Sequence, residues 1–200
     1  LYEQGRLDLD APVQDYVPSF PEKERPITTR QLAGHLAGIR HYEGKEFLSQ
    51  KPYPTVLEGL AIFQDDPLVG PPGDQHSYST YGWNLISAVV EGASGQEFLS
   101  YMDEHVFSPI GMNHTHADFV DGIIQNRGRY YVVEEDTVLN ASPVDNSYKW
   151  AGGGFLSTSD DLVRFAFAHL DPAVLKPETV ELMWTSQKTT SGEETGYGIG

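Results

Sequence analysis

The sequence predicts a mainly helical α+β domain, and three observations carry that prediction. Apolar residues repeat with helical spacing on one face of the stretch Tyr81–Gly92, which is typical of a buried helix. A hydroxyl residue followed three positions later by Gln or Glu, in the segments Thr28–Gln31 and Ser94–Glu97, indicates two helix starts with capping boxes. Aromatic and β-branched residues around an acidic turn in the stretch Arg129–Asn140 predict a β-hairpin. We expect about six helices, this hairpin and a last strand that starts near Gly196.

The first half of the chain leads to the central helix through two short helices. The stretch 1–24 has acidic turn residues and several prolines, so we expect it to be a surface connection. A short helix should follow the first capping box. The stretch 42–54 contains Gly and Pro and should be a loop before a second helix over 55–64. A Pro-Gly turn then precedes the central helix, which Ser79 or Thr80 can cap.

The second half should add three further helices. One should run from Phe98 to the Ser-Pro pair at 108–109, another should be capped within the segment 157–161, and a third should start at Pro177. Three consecutive glycines at 152–154 favour close backbone approach over regular structure. The helical spacing predicts a buried position for six apolar residues: Leu85, Val89, Phe98, Met102, Leu162 and Phe165.

The charge and composition exclude several kinds of partner and site. The chain has 13 Lys and Arg against 29 Asp and Glu, a net charge of -16, so we expect neither nucleic acid nor an anionic membrane surface as a partner. The absence of cysteine excludes disulfides, thiolate metal sites and a cysteine nucleophile. It fits either a reducing or an oxidising compartment and leaves the localisation open.

Several histidines raise the question of a metal site. The H-x-H-x-D pattern at 114–118 can point two imidazoles at one zinc ion. The only later histidine, His169, lies in a helical pattern, so the ligand set is incomplete, and we expect no metal and no other cofactor. His35 and His41 lie near the end of the first helix, where a histidine is more often a hydrogen-bonded structural residue than a ligand.

Tyr78 is a candidate for a chemical role because it stands directly ahead of the central helix. A rigid helix start can hold a reacting group in a fixed direction toward a cleft. Taken alone, however, this window favours a half-buried tyrosine that only packs.

Four ordered segments bear on that choice: LYEQGRLDLDAPV at 1–13, ITTRQLAGHLAGIRHY at 27–42, YST at 78–80 and VDNSYKWAGGGFLSTSDDL at 144–162. Together they resemble the serine β-lactamase and penicillin-binding family, in particular its class C-like, LACTB-type branch. The YST segment resembles the second catalytic motif of the family, Tyr-x-Asn. The segment at 144–162 is the longest match.

The resemblance implies both a fold and a site. The chain would be the mainly helical middle portion of the serine β-lactamase/transpeptidase-like fold, with a small β-hairpin and part of the terminal sheet. Tyr78 would be the catalytic residue that activates a hydroxyl. Thr80, which stands where many relatives have Asn, would bind the substrate. A hydroxyl offers one donor where an amide offers two, and this disfavours β-lactam hydrolysis more than it disfavours the fold.

The family's nucleophile is missing from this sequence. In the family, the serine of an S-x-x-K motif attacks the substrate, and a Lys-Thr-Gly or His-Thr-Gly strand lines the other side of the site. Every Lys here follows a non-serine three positions earlier, and the nearest match to the strand motif, Lys188-Thr189-Thr190, lacks its Gly. We therefore expect residues 1–200 to be a single partial domain, truncated at both ends. The missing N- and C-terminal segments would belong to the same longer chain, and apolar surface would be exposed where they pack.

Two functions fit these observations. The first is a serine hydrolase that acts through an acyl-serine intermediate on a small-molecule or peptide substrate, with peptides and esters favoured over β-lactams and the fragment itself inactive. The alternative is a non-catalytic scaffold that assembles as a homo-oligomer or filament, to which an aromatic segment such as Tyr130-Tyr131 would contribute. The compartment would be periplasmic or extracellular for a bacterial protein and mitochondrial for a eukaryotic one of the LACTB type.

Overall fold

The computed structural model describes residues 1–200 and contains seven α-helices and four short strands. The helices are α1 (Thr29–Ala33), α2 (Val56–Leu60), α3 (Thr80–Ser94), α4 (Phe98–Met102), α5 (Trp150–Gly153), α6 (Ser159–Ala168) and α7 (Pro177–Trp184). The strands are β1 (His116–Ala117), β2 (Tyr131–Glu134), β3 (Thr137–Asn140) and β4 (Phe155–Leu156). Two 3₁₀ turns, Val13–Asp15 and Glu46–Leu48, and one π-helical turn, Asp103–Phe107, connect them. None of the helices combines the length and hydrophobicity that a membrane crossing requires.

Local capping explains where most of the helices begin. Thr28 and Gln31 form the predicted capping box of α1, in which the Thr28 hydroxyl accepts from the Gln31 N–H at 3.2 Å. The hydroxyls of Ser79 and Thr158 cap α3 and α6 in the same way. Pro177 is the first residue of α7, where its missing N–H costs nothing. These four helix starts were predicted from the sequence and are confirmed.

The second capping box, predicted at Ser94–Glu97, is wrong. Helix α4 has Glu97 at its N-cap and no side-chain capping bond. The Ser94 hydroxyl accepts instead from the N–H two residues further along, at 3.1 Å. The Glu91 carboxylate, from the last turn of α3, accepts from the Phe98 N–H at 2.9 Å. A side chain of the preceding helix therefore supplies the acceptor that the local box was expected to supply.

Helix α3 is the centre of the fold, and α1, α2, α4 and α5 all pack against it. Its residues Leu85 and Val89 are fully buried, as their helical spacing predicted. They belong to one core cluster of 17 buried residues that extends from Val13 to Trp150. Because four helices contact α3, the residues at its start are held on several sides.

The burial predicted for α6 is wrong. Phe98 is buried, as expected, and Met102 is only partly buried against the core, whereas Leu162 is 58% exposed and Phe165 is 40% exposed. Helix α6 turns the side that carries Asp161, which is fully buried, toward the rest of the chain. Helical spacing identifies an apolar face, but only a neighbouring element can cover it, and no element within residues 1–200 covers this one.

The predicted hairpin is confirmed. Strands β2 and β3 pair antiparallel, with Tyr131 opposite Asn140. The two turn residues, Glu135 and Asp136, have φ of 45° and 66°, as a two-residue turn that matches the strand twist requires. A second antiparallel pair joins β1 and β4.

The strand predicted near Gly196 is not formed. The stretch 196–200 makes backbone hydrogen bonds with the end of α7 and the turn that follows it. The Ile199 N–H donates to the Met183 carbonyl at 2.9 Å, and the Gln187 N–H donates to the Tyr197 carbonyl at 2.7 Å. A strand requires a ladder partner along its length, and none of the four strands lies beside this stretch.

Candidate active site

Tyr78 stands one residue before the N-cap of α3, and its side chain is 52% exposed. The Ser79 hydroxyl that caps the helix accepts from the Gly82 N–H at 3.1 Å and donates to the Arg40 carbonyl at 2.6 Å. Both bonds are buried, so the helix start is fixed against the loop that follows α1. The Tyr78 hydroxyl makes no hydrogen bond within the chain and is open to an external group.

Two imidazoles enclose the Tyr78 ring. The centroid of the His35 ring is 4.4 Å away with the planes tilted by 39°, and that of His41 is 5.5 Å away with an interplanar angle of 83°. Ring pairs at such separations contribute about 0.5–1.5 kcal/mol beyond their burial. The phenol therefore has a defined direction before any ligand binds.

The same two histidines hold the backbone that follows Tyr78. Nδ1 of His35 accepts from the Ser79 N–H, and Nδ1 of His41 accepts from the Thr80 N–H, both at 3.2 Å. These two N–H groups belong to the helix start, where the donors have no intrahelical partner. Two imidazoles from a distant segment thus accept hydrogen bonds from the Ser79 and Thr80 N–H groups at the start of α3.

These hydrogen bonds fix the tautomer of both rings. An accepting Nδ1 requires a neutral imidazole with its proton on Nε2. Burial, together with His76 and His41, lowers the pKa of His35 to about 4, and burial also lowers the pKa of His41. Both rings are therefore neutral near neutral pH. The Trp83 indole N–H lies 3.4 Å from Nε2 of His35, but both atoms carry a hydrogen in this tautomer, so this contact is not a hydrogen bond.

Thr80 is only 5% exposed. Its methyl group packs against Gly152, where a Cβ atom would stand 2.6 Å from Thr80 Cγ2, so the close approach predicted for the glycine triplet occurs here. The expectation that the triplet avoids regular structure is wrong, because Gly152 and Gly153 belong to α5. The Thr80 hydroxyl faces the Tyr42 phenol. Burial raises the pKa of Tyr42, and the hydroxyls of Thr80 and Tyr148 partly offset this increase. Thr80 therefore forms part of the wall behind Tyr78.

An ion-pair network around the buried Arg40 guanidinium fixes the loop that carries His41. The Arg40 guanidinium donates to both oxygens of Glu46, at 2.8 and 3.1 Å, and to Asp66 at 2.6 Å. It also donates to the His41 carbonyl at 3.0 Å. The Tyr81 hydroxyl donates to Glu46 at 2.9 Å and so connects the network to α3. Burial, the largest single effect, raises the pKa of Glu46, but the hydrogen bonds from Arg40, the Glu43 N–H and Tyr81, together with the charge of Arg40, lower the pKa on balance.

Residues from the C-terminal part of the chain complete the surroundings. The Tyr197 ring lies 4.8 Å from the His35 ring. Nζ of Lys149 lies 5.7 Å from the centroid of the Tyr42 ring, and burial lowers the pKa of this lysine. The serine next to Tyr78 is buried and donates its proton to a carbonyl, so it is not available as a nucleophile. The site thus combines a free phenol, two neutral imidazoles and a half-buried lysine.

A cleft of about 1080 Å³ lies between the β2–β3 hairpin and the segment before α5 and shares Lys149 with the surroundings of Tyr78, although Tyr78 itself does not line it. Lys149 and Gly153 line this cleft. Gly153 directly follows Gly152, which packs on Thr80. It is larger than the two other main clefts, of about 440 and 470 Å³. A cleft of this size accommodates a peptide or a small molecule.

The H-x-H-x-D pattern is part of the β1 region. His116 lies in β1, and Asp118, which is 3% exposed, pairs with Arg127 and accepts from the Asn146 amide at 2.8 Å. No three His, Asp or Glu side chains among residues 1–200 converge as a metal site requires.

The sequence pointed to Tyr78 and Thr80 but not to the imidazoles that hold them. His35 and His41 are hydrogen-bonded, as predicted, but their contact with Tyr78 was not foreseen. They lie 44 and 39 residues from the N–H groups that they bind. The one available signal was that both fall in the segment 27–42, which resembles the same family as the YST motif.

Comparison with known proteins gives the wider context. A family model described as Beta-lactamase matches residues 1–200. The serine beta-lactamase-like protein LACTB, mitochondrial, of Homo sapiens is 35% identical over 276 residues, which cover 95% of this chain and 50% of that protein. The putative penicillin-binding protein PbpX of Bacillus subtilis is 26% identical over 205 residues, with 100% and 48% coverage. The chain spans about half the length of these curated relatives.

Two solved structures share the fold. A D-stereospecific amidohydrolase from Streptomyces sp. matches with a TM-score of 0.82 and 23% identity, over 100% of this chain and 64% of that one. An octameric penicillin-binding protein homologue from Pyrococcus abyssi matches with a TM-score of 0.78 and 25% identity, over 100% and 48%. The predicted fold class, a β-lactamase/transpeptidase-like α+β fold, is therefore confirmed.

Proposed function

Because the chain belongs to the beta-lactamase family, we propose that it is the tyrosine-bearing part of a serine hydrolase that acts through an acyl-serine intermediate on peptides or esters. One observation carries the proposal: Tyr78 is 52% exposed, its hydroxyl has no partner within the chain, and two imidazoles contact its ring at a rigid helix start. The S-x-x-K serine and lysine would come from sequence outside residues 1–200. The greater length of the relatives supports that part of the proposal.

In this mechanism Tyr78 accepts the proton of the attacking serine and passes it to the leaving group. An unperturbed phenol has a pKa of about 10, so it acts as a base near neutral pH only beside a cation. Neither imidazole supplies that charge, since the hydrogen bonds that both rings accept require them to be neutral. In the family this cation is the lysine of S-x-x-K, and the proposal assigns the role to that lysine.

Thr80 remains the residue proposed to contribute to substrate binding from the chain itself. Since it is 5% exposed and its hydroxyl faces Tyr42, its contribution would be mainly to the shape of the wall behind the phenol. The adjoining cleft of about 1080 Å³ would receive the remainder of a peptide or ester substrate.

The substitution Tyr78→Phe tests this proposal in the complete protein that contains residues 1–200. It removes one hydroxyl and keeps the ring contacts, so kcat/KM for ester and peptide substrates should fall by about two to four orders of magnitude. Tyr131→Phe is the matched control, because Tyr131 is 57% exposed on the hairpin and should tolerate the loss of its hydroxyl. Circular dichroism should show the same fold in both variants. An unimpaired Tyr78→Phe enzyme would refute the proposal.

The location of the nucleophile has a separate test. A fluorophosphonate probe reacts only with an activated serine. The 200-residue chain expressed alone should remain unlabelled, whereas the complete protein should be labelled on a serine outside it. Stoichiometric labelling of any serine within residues 1–200 would show that the nucleophile was placed wrongly.

A self-assembling scaffold is the second candidate, and the surface of α6 favours it. Five large apolar residues of this region are between 40% and 66% exposed: Leu162, Val163, Phe165, Phe167 and Leu170. An apolar row of this kind suits a protein contact. A complete protein that assembles but shows neither probe labelling nor hydrolysis would support the scaffold over the enzyme.

A further inference from the structure

The start of α3 lacks an exposed hydrogen-bond donor where the YST motif was expected to provide one. In the family pattern, the third residue of the motif is commonly Asn, whose amide can donate to a substrate carbonyl. Thr80 stands here instead, is 5% exposed and directs its hydroxyl to Tyr42. The chain therefore needs another group beside Tyr78 to bind a substrate acceptor.

His41 has the required properties. Its side chain is exposed, although its Nδ1 faces the helix and accepts from the Thr80 N–H at 3.2 Å. That bond leaves the proton on Nε2, so the ring presents one N–H donor of fixed identity. No protein group accepts from this N–H, so it is free to donate to a ligand.

The position of the ring is also fixed. The Tyr42 ring lies 4.5 Å from it on one side, and the Tyr78 ring lies 5.5 Å away. The backbone of His41 is held by the Arg40 guanidinium, which donates to its carbonyl. A donor supported in this way loses little conformational entropy when it binds a ligand.

We propose that His41 binds the substrate, with its Nε2–H donating to a carbonyl oxygen on the acyl side of the scissile bond. The inference rests on the proposed hydrolase function, because it assigns His41 and Tyr78 to the same substrate. It also defines a substrate class: an ester or amide whose acyl group carries a second carbonyl, as in an N-acyl amino acid or a peptide. His41, from the loop after α1, would thus donate the hydrogen bond that the Asn amide donates in the family pattern.

The test compares two variants of the complete protein on two substrates. His41→Phe keeps a flat ring but has neither donor nor acceptor, whereas His41→Gln keeps an amide that can accept from Thr80 and donate to the substrate. The substrates are an N-acyl amino acid ester and its neutral analogue in which two methylenes replace the C(O)–NH unit of the acylamino group. His114→Phe, at an exposed histidine of the β1 region, is the control.

On the carbonyl substrate, His41→Phe should lower kcat/KM by about 10- to 100-fold, the scale of one lost hydrogen bond in a binding site. On the methylene analogue, the same variant should lose less than about threefold, because the bond is absent there already. His41→Gln should recover most of the activity on the carbonyl substrate, and His114→Phe should behave as the wild type on both.

A loss of equal size on both substrates, or no loss on either, would overturn the proposal. Hydrogen exchange of the Thr80 amide adds an independent readout: an equal loss accompanied by faster exchange would assign His41 to the support of the helix alone. Failure of the proposed function has a different signature, an unimpaired Tyr78→Phe enzyme, and that result would remove this proposal together with the function.

Discussion

His35 gives this fold a specific dependence of stability on pH. The side chain is 2% exposed, and its Nδ1 accepts from the Ser79 N–H. Burial, His76 and His41 lower its pKa from 6.5 to about 4. In the unfolded chain the same group titrates at about 6.5. Between these values the unfolded state binds more protons than the native state, so the free energy of unfolding must decrease as the pH falls.

The size of the effect follows from the two pKa values. Relative to about pH 7.5, the linkage relation gives a loss of about 2 kcal/mol at about pH 5 and about 3 kcal/mol at about pH 4. Natural domains unfold with a free energy of about 5–15 kcal/mol, so this single histidine accounts for a large share of the stability.

Urea unfolding, followed by tryptophan fluorescence between about pH 5 and pH 7.5, measures the effect. The variant His35→Asn does not titrate in this window, retains a side-chain acceptor, and suits the left-handed backbone, where φ of His35 is 56°. His114→Asn changes an exposed histidine in the same way and serves as the control. The wild type and the control should each lose about 2 kcal/mol more than His35→Asn over this range.

Parallel pH curves for the wild type and His35→Asn would refute the reasoning. Such a result would mean that His35 titrates in the native protein as it does in the unfolded chain. Titratable groups distant from His35 contribute equally to both proteins and cancel in the difference, whereas the interactions of His35 with His41 and His76 are part of the measured difference.

Three further predictions concern stability and association. Arg40→Met should cost about 2 kcal/mol in urea unfolding because it leaves two partly buried carboxylates without their cation, whereas Arg30→Met, at a more exposed ion pair, should cost less than about 1 kcal/mol. Gly38→Ala should lower the melting temperature far more than Gly5→Ala. The backbone angle φ is positive at both glycines, 72° at Gly38 and 67° at Gly5, but only at Gly38 would the added Cβ collide with a backbone carbonyl, that of Gly70. The 200-residue chain should self-associate in light scattering, and Phe167→Glu, at a residue that is 66% exposed on α6, should reduce this; a wild-type chain that stays monomeric at high concentration would contradict it.

The sequence by itself determined the local features of this protein. The capping of α1, α3 and α6 depends on a hydroxyl within three residues of the N–H that it binds, and the β2–β3 hairpin depends on a two-residue turn between adjacent strands. Each of these interactions spans only a few residues, so the pattern that predicts it is complete in a short window. The position of Tyr78 ahead of α3 was predictable for the same reason.

Only the tertiary structure decided what surrounds Tyr78 and which apolar faces are covered. His35 and His41 reach the start of α3 from 44 and 39 residues away, because α1 packs on α3 and the Arg40 network fixes the loop between them. The exposure of the apolar face of α6 was also decided by tertiary structure, because the helical spacing of its apolar residues does not specify which element covers them. Burial and pKa depend on which segments meet in space, and contacts between distant segments leave no periodic signal in the sequence.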